Sequence, residues 1–178
     1  GSTVVGNISV NGFGAAAGNS GSVMVASGPG ASSVASIDAI ASVSGAAASI
    51  SIVGGGNMTV GAINQRNAGN GGGQSSVFVA AGAFWLMNGT GINLTISPAT
   101  PATNGALTVM SINTPPVTAA LGSGNHIRLA AFGANGSLTI NGAQTSGGNA
   151  GGLFNNGSFS AIAQGNPAAA ADTIVFAL

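Results

Sequence analysis

The sequence predicts an all-β chain wound as a right-handed parallel β-solenoid, or β-helix, and three observations carry that expectation. Short apolar or alternating runs recur along the 178 residues between clusters of Gly, Asn and Ser. The 32 glycines, with many Ser, Thr and Val, oppose helix. Glycine costs a helix about 1 kcal/mol relative to alanine, and β-branched side chains lose rotamer freedom there. The runs also repeat in two alternating forms, as stacked coils do when each buries its apolar face on the last. An antiparallel β-sandwich or jelly roll with strands exchanged between subunits is the alternative, because alternation alone fits both.

In chain order, strands are expected over residues 7–10, 22–26, 49–53, 57–60, 76–80, 92–97, 107–112, 126–130, 137–140, 158–162 and 173–177. The alanine-rich stretches 31–48 and 168–172 are read as a short helix or turn each. Pro98, Pro101, Pro115 and Pro116 break the middle into extended loop or edge structure. Residues 1–178 are read as one all-β domain.

The first form of the repeat is Gly6-Asn7-Ile8-Ser9-Val10, Gly56-Asn57-Met58-Thr59-Val60 and Gly136-Ser137-Leu138-Thr139-Ile140. The second is Gly21-Ser22-Val23-Met24-Val25-Ala26 and Ser75-Ser76-Val77-Phe78-Val79-Ala80-Ala81-Gly82. Gly/Asn linkers suit solenoid corners, since Gly takes positive φ and Asn tolerates the left-handed region while stacking into ladders between coils. A coil of about 25 residues gives about seven levels and a rod roughly 33 Å long.

The stretch Gly56-Asn57-Met58-Thr59-Val60-Gly61-Ala62-Ile63-Asn64, its Gly/Asn linker and Ser75-Ser76-Val77-Phe78-Val79-Ala80-Ala81-Gly82 resemble the repeats of filamentous haemagglutinin-like exoproteins. That resemblance implies a right-handed parallel β-helix displayed outside a bacterial cell, used in adhesion and biofilm. It also implies a cell-surface glycan or matrix as partner.

Charge excludes several function classes. Asp, Glu, Lys and Arg make up 2% of the chain, and the formal net charge is zero; ordinary soluble domains carry about 25% charged residues. The carriers are Asp38, Asp172, Arg66 and Arg128, with His126 the single histidine. Two arginines cannot release the counterions that phosphate-backbone binding requires, so nucleic acid is not an expected partner. With no cysteine, neither a disulfide framework nor a thiolate metal site is possible. One histidine cannot supply the three or four ligands of a zinc site. General acid–base chemistry would have to use Asp38 with Asp172, or His126 with a serine lacking a nucleophile elbow, and the chain is not expected to be an enzyme. No cofactor and no membrane span are expected.

What remains is assembly. Near-zero net charge favours association of like molecules. Thr3, Val4 and Val5 open the chain as an apolar strand, and Thr173, Ile174, Val175, Phe176, Ala177 and Leu178 form another. A strand edge left unpaired recruits a further strand, so both segments are candidate contacts with copies of the same chain, by strand addition or end-to-end stacking. Phe84-Trp85-Leu86-Met87 is the one dense aromatic cluster, read as core filler or as a patch for a neighbouring subunit. The first residues carry neither a basic nor an apolar leader, as expected of a mature secreted fragment or of a fusion scar at Gly1-Ser2. The expected role is an extracellular, self-assembling fibre or matrix subunit, with a surface adhesin as the alternative.

Overall fold

A computed structural model describes residues 1–13, 18–42, 45–66, 75–87, 94–98, 105–114, 125–132, 137–144, 157–164 and 173–176. Among them the regular structure is strand. Sheet one contains, side by side, β1 (Thr3–Ser9), β3 (Ser32–Ile40), β5 (Met58–Arg66), β9 (Leu107–Asn113), β11 (Ser137–Ile140) and β14 (Thr173–Phe176). A short β12 (Ala143–Gln144) also pairs with β9, continuing the line of β11. Sheet two contains β2 (Val23–Ser27), β4 (Ile50–Gly54), β6 (Ser76–Ala81), β10 (His126–Phe132) and β13 (Phe159–Gln164). Every strand pairing within these two sheets is parallel. The chain alternates between the sheets and advances one level at a time, which makes it a parallel β-solenoid and excludes the antiparallel sandwich.

The coil is longer than 25 residues. Side-chain bonds between successive levels of sheet one span 29, 26, 49 and 31 residues. The span of 49 contains an antiparallel hairpin, β7 (Ala83–Met87) with β8 (Leu94–Pro98), inserted between β6 and β9. Among the described residues sheet one has six levels and sheet two five, against the expected seven.

Inward side chains stack into columns. Ile8, Ile37, Ile63 and Ile112 stand in one register line, and Val5, Val34, Val60, Val109 and Ile140 in another. Sheet two faces them with Val23, Ile50, Val77, Ile127 and Phe159, and with Val25, Ile52, Val79, Leu129 and Ala161. Most of these form one buried cluster. Each buried aliphatic side chain contributes about 1.5–3 kcal/mol, so column repetition supplies the stabilisation that few charges and many glycines do not.

Residues 31–48 hold β3 rather than a helix. Its inward residues are Val34 and then Ile37, because Ala35 and Ser36 both face outward. The same interruption recurs at Gly61-Ala62 and Met110-Ser111, and the ladder skips Ala35, Gly61 and Met110. A spacing of three between apolar residues imitates a helical period, although its cause is a bend in a strand. At the bend, a Cβ on Gly61 would collide with the carbonyl oxygen of Ala35, so glycine is required there.

The repeat is real, but its first copy is out of phase. Thr3-Val4-Val5 stands opposite Ser32-Ser33-Val34 and Met58-Thr59-Val60. Asn7-Ile8-Ser9 lies beyond the bend, opposite Ser36-Ile37-Asp38. The two halves of a sheet-one strand resemble each other, so the sequence aligns the wrong halves.

Candidate functional site

Two of the polar residues first singled out for chemistry, Asp38 and His126, make hydrogen bonds between levels of the scaffold. Asp38 lies in an outward column with Ser9, Asn64 and Asn113. Asn64 Nδ2 donates to Asp38 Oδ1 at 2.7 Å, and Asn113 Nδ2 donates to Asn64 Oδ1 at 3.3 Å. Asp172 lies outside the described residues. His126 is tied to the next level: the Ser158 N–H donates to its Nδ1 at 3.2 Å, and Ser158 Oγ is 2.7 Å from the same nitrogen. Arg128, two positions on, is exposed on the same outer face, while Arg66 is half-buried at the end of β5. Among the described residues no group of three or more His, Asp or Glu is placed to hold a metal ion, and no helix is long and apolar enough to cross a membrane.

Asparagines join the levels as anticipated. Asn11 Oδ1 accepts from the N–H of Ile40 at 2.8 Å, Asn19 Oδ1 from Ala46 at 2.9 Å, and Asn57 Oδ1 from Ala106 at 3.1 Å. A buried polar seam escaped the sequence reading. Gln65, Thr114 and Asn125 are fully buried where sheet one gives way to sheet two. Gln65 Nε2 donates to the carbonyls of Ala48 and Ser76, and Asn125 Nδ2 donates to that of Gln65. The available signal was the inward parity of Gln65, two residues after Ile63.

Phe84 and Trp85 lie on β7, which covers the outer face of sheet two. Val53, Ala80 and Ala130 point away from the main core yet are buried, with Phe78, Trp85 and Phe132 packed on them. Phe84 rests where Gly55 has no side chain, since a Cβ there would meet the ring. Gly82 turns the chain out of the coil with φ 68°, a left-handed value that favours glycine. Trp85 therefore packs on a secondary core within the chain and Phe84 lies against Gly55, each residue half-buried.

The other named residues lie at the two ends of the rod. Thr3, Val4 and Val5 are on β1, whose outer edge has no strand partner among the described residues. Thr173, Ile174, Val175 and Phe176 form β14, paired with β11; Leu178 lies outside the described residues. Sheet two ends in β2 on one side and β13 on the other. Large exposed apolar side chains concentrate here. The first level carries Val4 (80% exposed), Phe13 (86%) and Met24 (58%), and β13 carries Phe159 (37%) and Ile162 (50%), leaving only Met110 in the middle among the described residues. Core columns that are sealed inside run out half-buried at Val5, Ile8, Val10 and Val25, and at Ala161 and Ala163.

No family model, curated protein or solved structure matches this chain.

Proposed function

We propose that the chain is an extracellular structural subunit that self-assembles into a fibre or matrix, its coils adding head to tail. The carrying observation is that, among the described residues, five of the six exposed large apolar residues belong to the outermost levels, where β1 and β13 each have one edge without a described strand partner. An open edge offers a row of backbone donors and acceptors, and the half-buried columns beside it offer apolar area. Zero net charge removes the repulsion that ordinarily keeps like edges apart. Copies of this chain are the partner, and the scaffold needs no cofactor for the role. Sedimentation velocity and negative-stain electron microscopy across a concentration series test it. Unbranched rods about as wide as one solenoid are expected, and a monomer at every concentration would overturn the proposal.

A second reading, a surface adhesin, draws on the resemblance of the repeats to haemagglutinin-like exoproteins and on the hairpin that thickens the outer face of sheet two. Saturable binding on a glycan array by a form that stays monomeric would favour it.

A further inference from the structure

One corner of the coil carries far more chain than its neighbour. β4 passes to β5 through Gly55, Gly56 and Asn57, whereas β6 passes to β9 through residues 82–106, the β7–β8 hairpin among them. Yet the two levels are in step on both sides of that corner: Gly54 stands opposite Ala81, and Met58 opposite Leu107. Gly82, Gly105 and Ala106 therefore take the places of Gly55, Gly56 and Asn57, and residues 83–104 are an insertion that the coil does not need. The neck of the insertion is closed. A Cβ added to Gly82 would stand 3.1 Å from the Cα of Gly105, and one added to Gly105 2.9 Å from the Cα of Gly82. The two α-carbons thus lie within about 4.5 Å, close to the roughly 3.8 Å that one peptide bond spans. Without these 22 residues the span of 49 between Asn64 and Asn113 would be 27, inside the 26 to 31 of the other levels.

What the insertion covers gives it a role. The outer face of sheet two carries Ser76, His126 and Ser158 in one column and Ser51, Arg128 and Ser160 in the next. A third outward column is apolar at every level: Ala26, Val53, Ala80, Ala130 and Ile162 stand in register over about 19 Å. Its three middle members are at most 4% exposed and pack with Trp85 of β7, whereas Ala26 and Ile162 are exposed. We infer that β7 and β8 are an inserted cover that keeps this column from pairing with the same column of a second copy.

A continuous apolar strip on an otherwise polar face invites association, and a second copy presents a strip of the same level spacing. Zero net charge leaves little repulsion to keep the two apart. The cover is held by apolar contact: Trp85 packs on the column, while its Nε1 is buried without a hydrogen-bond partner. Substitution of its aromatic residues should therefore release it. The inference concerns the sides of the solenoid and does not rest on the head-to-tail assembly proposed above.

Deletion of residues 83–104, which joins Gly82 to Gly105, tests it. The shortened chain should keep the strand spectrum of the parent in far-ultraviolet circular dichroism and should self-associate in sedimentation velocity at a concentration about tenfold lower, a factor equivalent to some 1.4 kcal/mol. Ala80→Lys in the shortened chain puts a charge in the middle of the uncovered column and should restore the parent's behaviour. The full-length variant F84S/W85S should associate as the deletion does. A folded deletion variant that sediments like the parent would overturn the inference, as would association that Ala80→Lys leaves unchanged. Should the deletion variant fail to fold, F84S/W85S decides: association supports the cover, and parental sedimentation overturns it. Electron microscopy separates this outcome from that of head-to-tail assembly. Where the parent forms rods, the deletion variant should lay them side by side; where the parent stays monomeric, the variant should form dimers or larger species without rods.

Discussion

One isoleucine column compares the middle of the rod with its end. Ile37, Ile63 and Ile112 are fully buried, whereas Ile8, in the same register on β1, is only partly covered. Nothing in the local sequence separates them, for each is an apolar residue just beyond the bend. The difference is one missing neighbour. In a solenoid the core is an interface repeated at every level, so an end level is a middle level with half of its interface unused. In the assembly proposed above, that uncovered half is the binding surface, built by the same pattern that stabilises the interior.

Truncating this column should expose the contrast most strongly. Ile63→Ala is expected to cost about 2–5 kcal/mol in urea unfolding, as for other deletions in sealed cores. Ile8→Ala should cost the monomer less than half as much and weaken polymer formation instead. Equal losses at the two sites would break the comparison.

The bend gives a second contrast. Gly61→Val forces a side chain against the Ala35 carbonyl and should destabilise the fold by about 1–3 kcal/mol. Gly6→Val meets open space and should leave the unfolding midpoint of the monomer within about 0.5 kcal/mol of the parent. Its effect should appear as lost assembly, read by sedimentation.

A smaller effect is expected on the outer face. Asn64→Ala removes the donor to Asp38 and the acceptor for Asn113, and should cost about 1 kcal/mol. The smallest concerns charge. Val4→Lys, at an exposed position, should leave monomer stability unchanged within about 0.5 kcal/mol. It places a cation at every junction, so assembly should slow at low salt and recover as salt screens it.

The strand positions were legible because turn-forming Gly and Asn clusters bracket short β-branched runs, and 137–140 matched the observed strand without adjustment. The two forms of the repeat correspond to the two sheets, which is why the solenoid could be read at all. The bend at Ala35-Ser36 was not legible: it shifts the alternation by one residue, so β3 imitated a helix and the first repeat was aligned half a strand late. The hairpin was half legible. Its second strand was expected, but Phe84 and Trp85 could not be assigned to an outer core without knowing that Val53, Ala80 and Ala130 face away from the main one. The assembly residues Thr3, Val4 and Val5 were marked by apolar runs alone.

The central claim is that two copies meet as successive coils do, and one cross-link tests it directly. Met24 and Ser160 stand at opposite ends of the outward column Met24, Ser51, Phe78, Arg128 and Ser160, four strand spacings or about 19 Å apart within one molecule. If β2 of one copy stacks on β13 of another in the register that relates successive levels, they become neighbours. Oxidation of assembled M24C/S160C should therefore give a ladder of covalent multimers on a denaturing gel, while each single variant stops at dimers. Assembled protein that yields no multimer beyond a dimer would contradict the account.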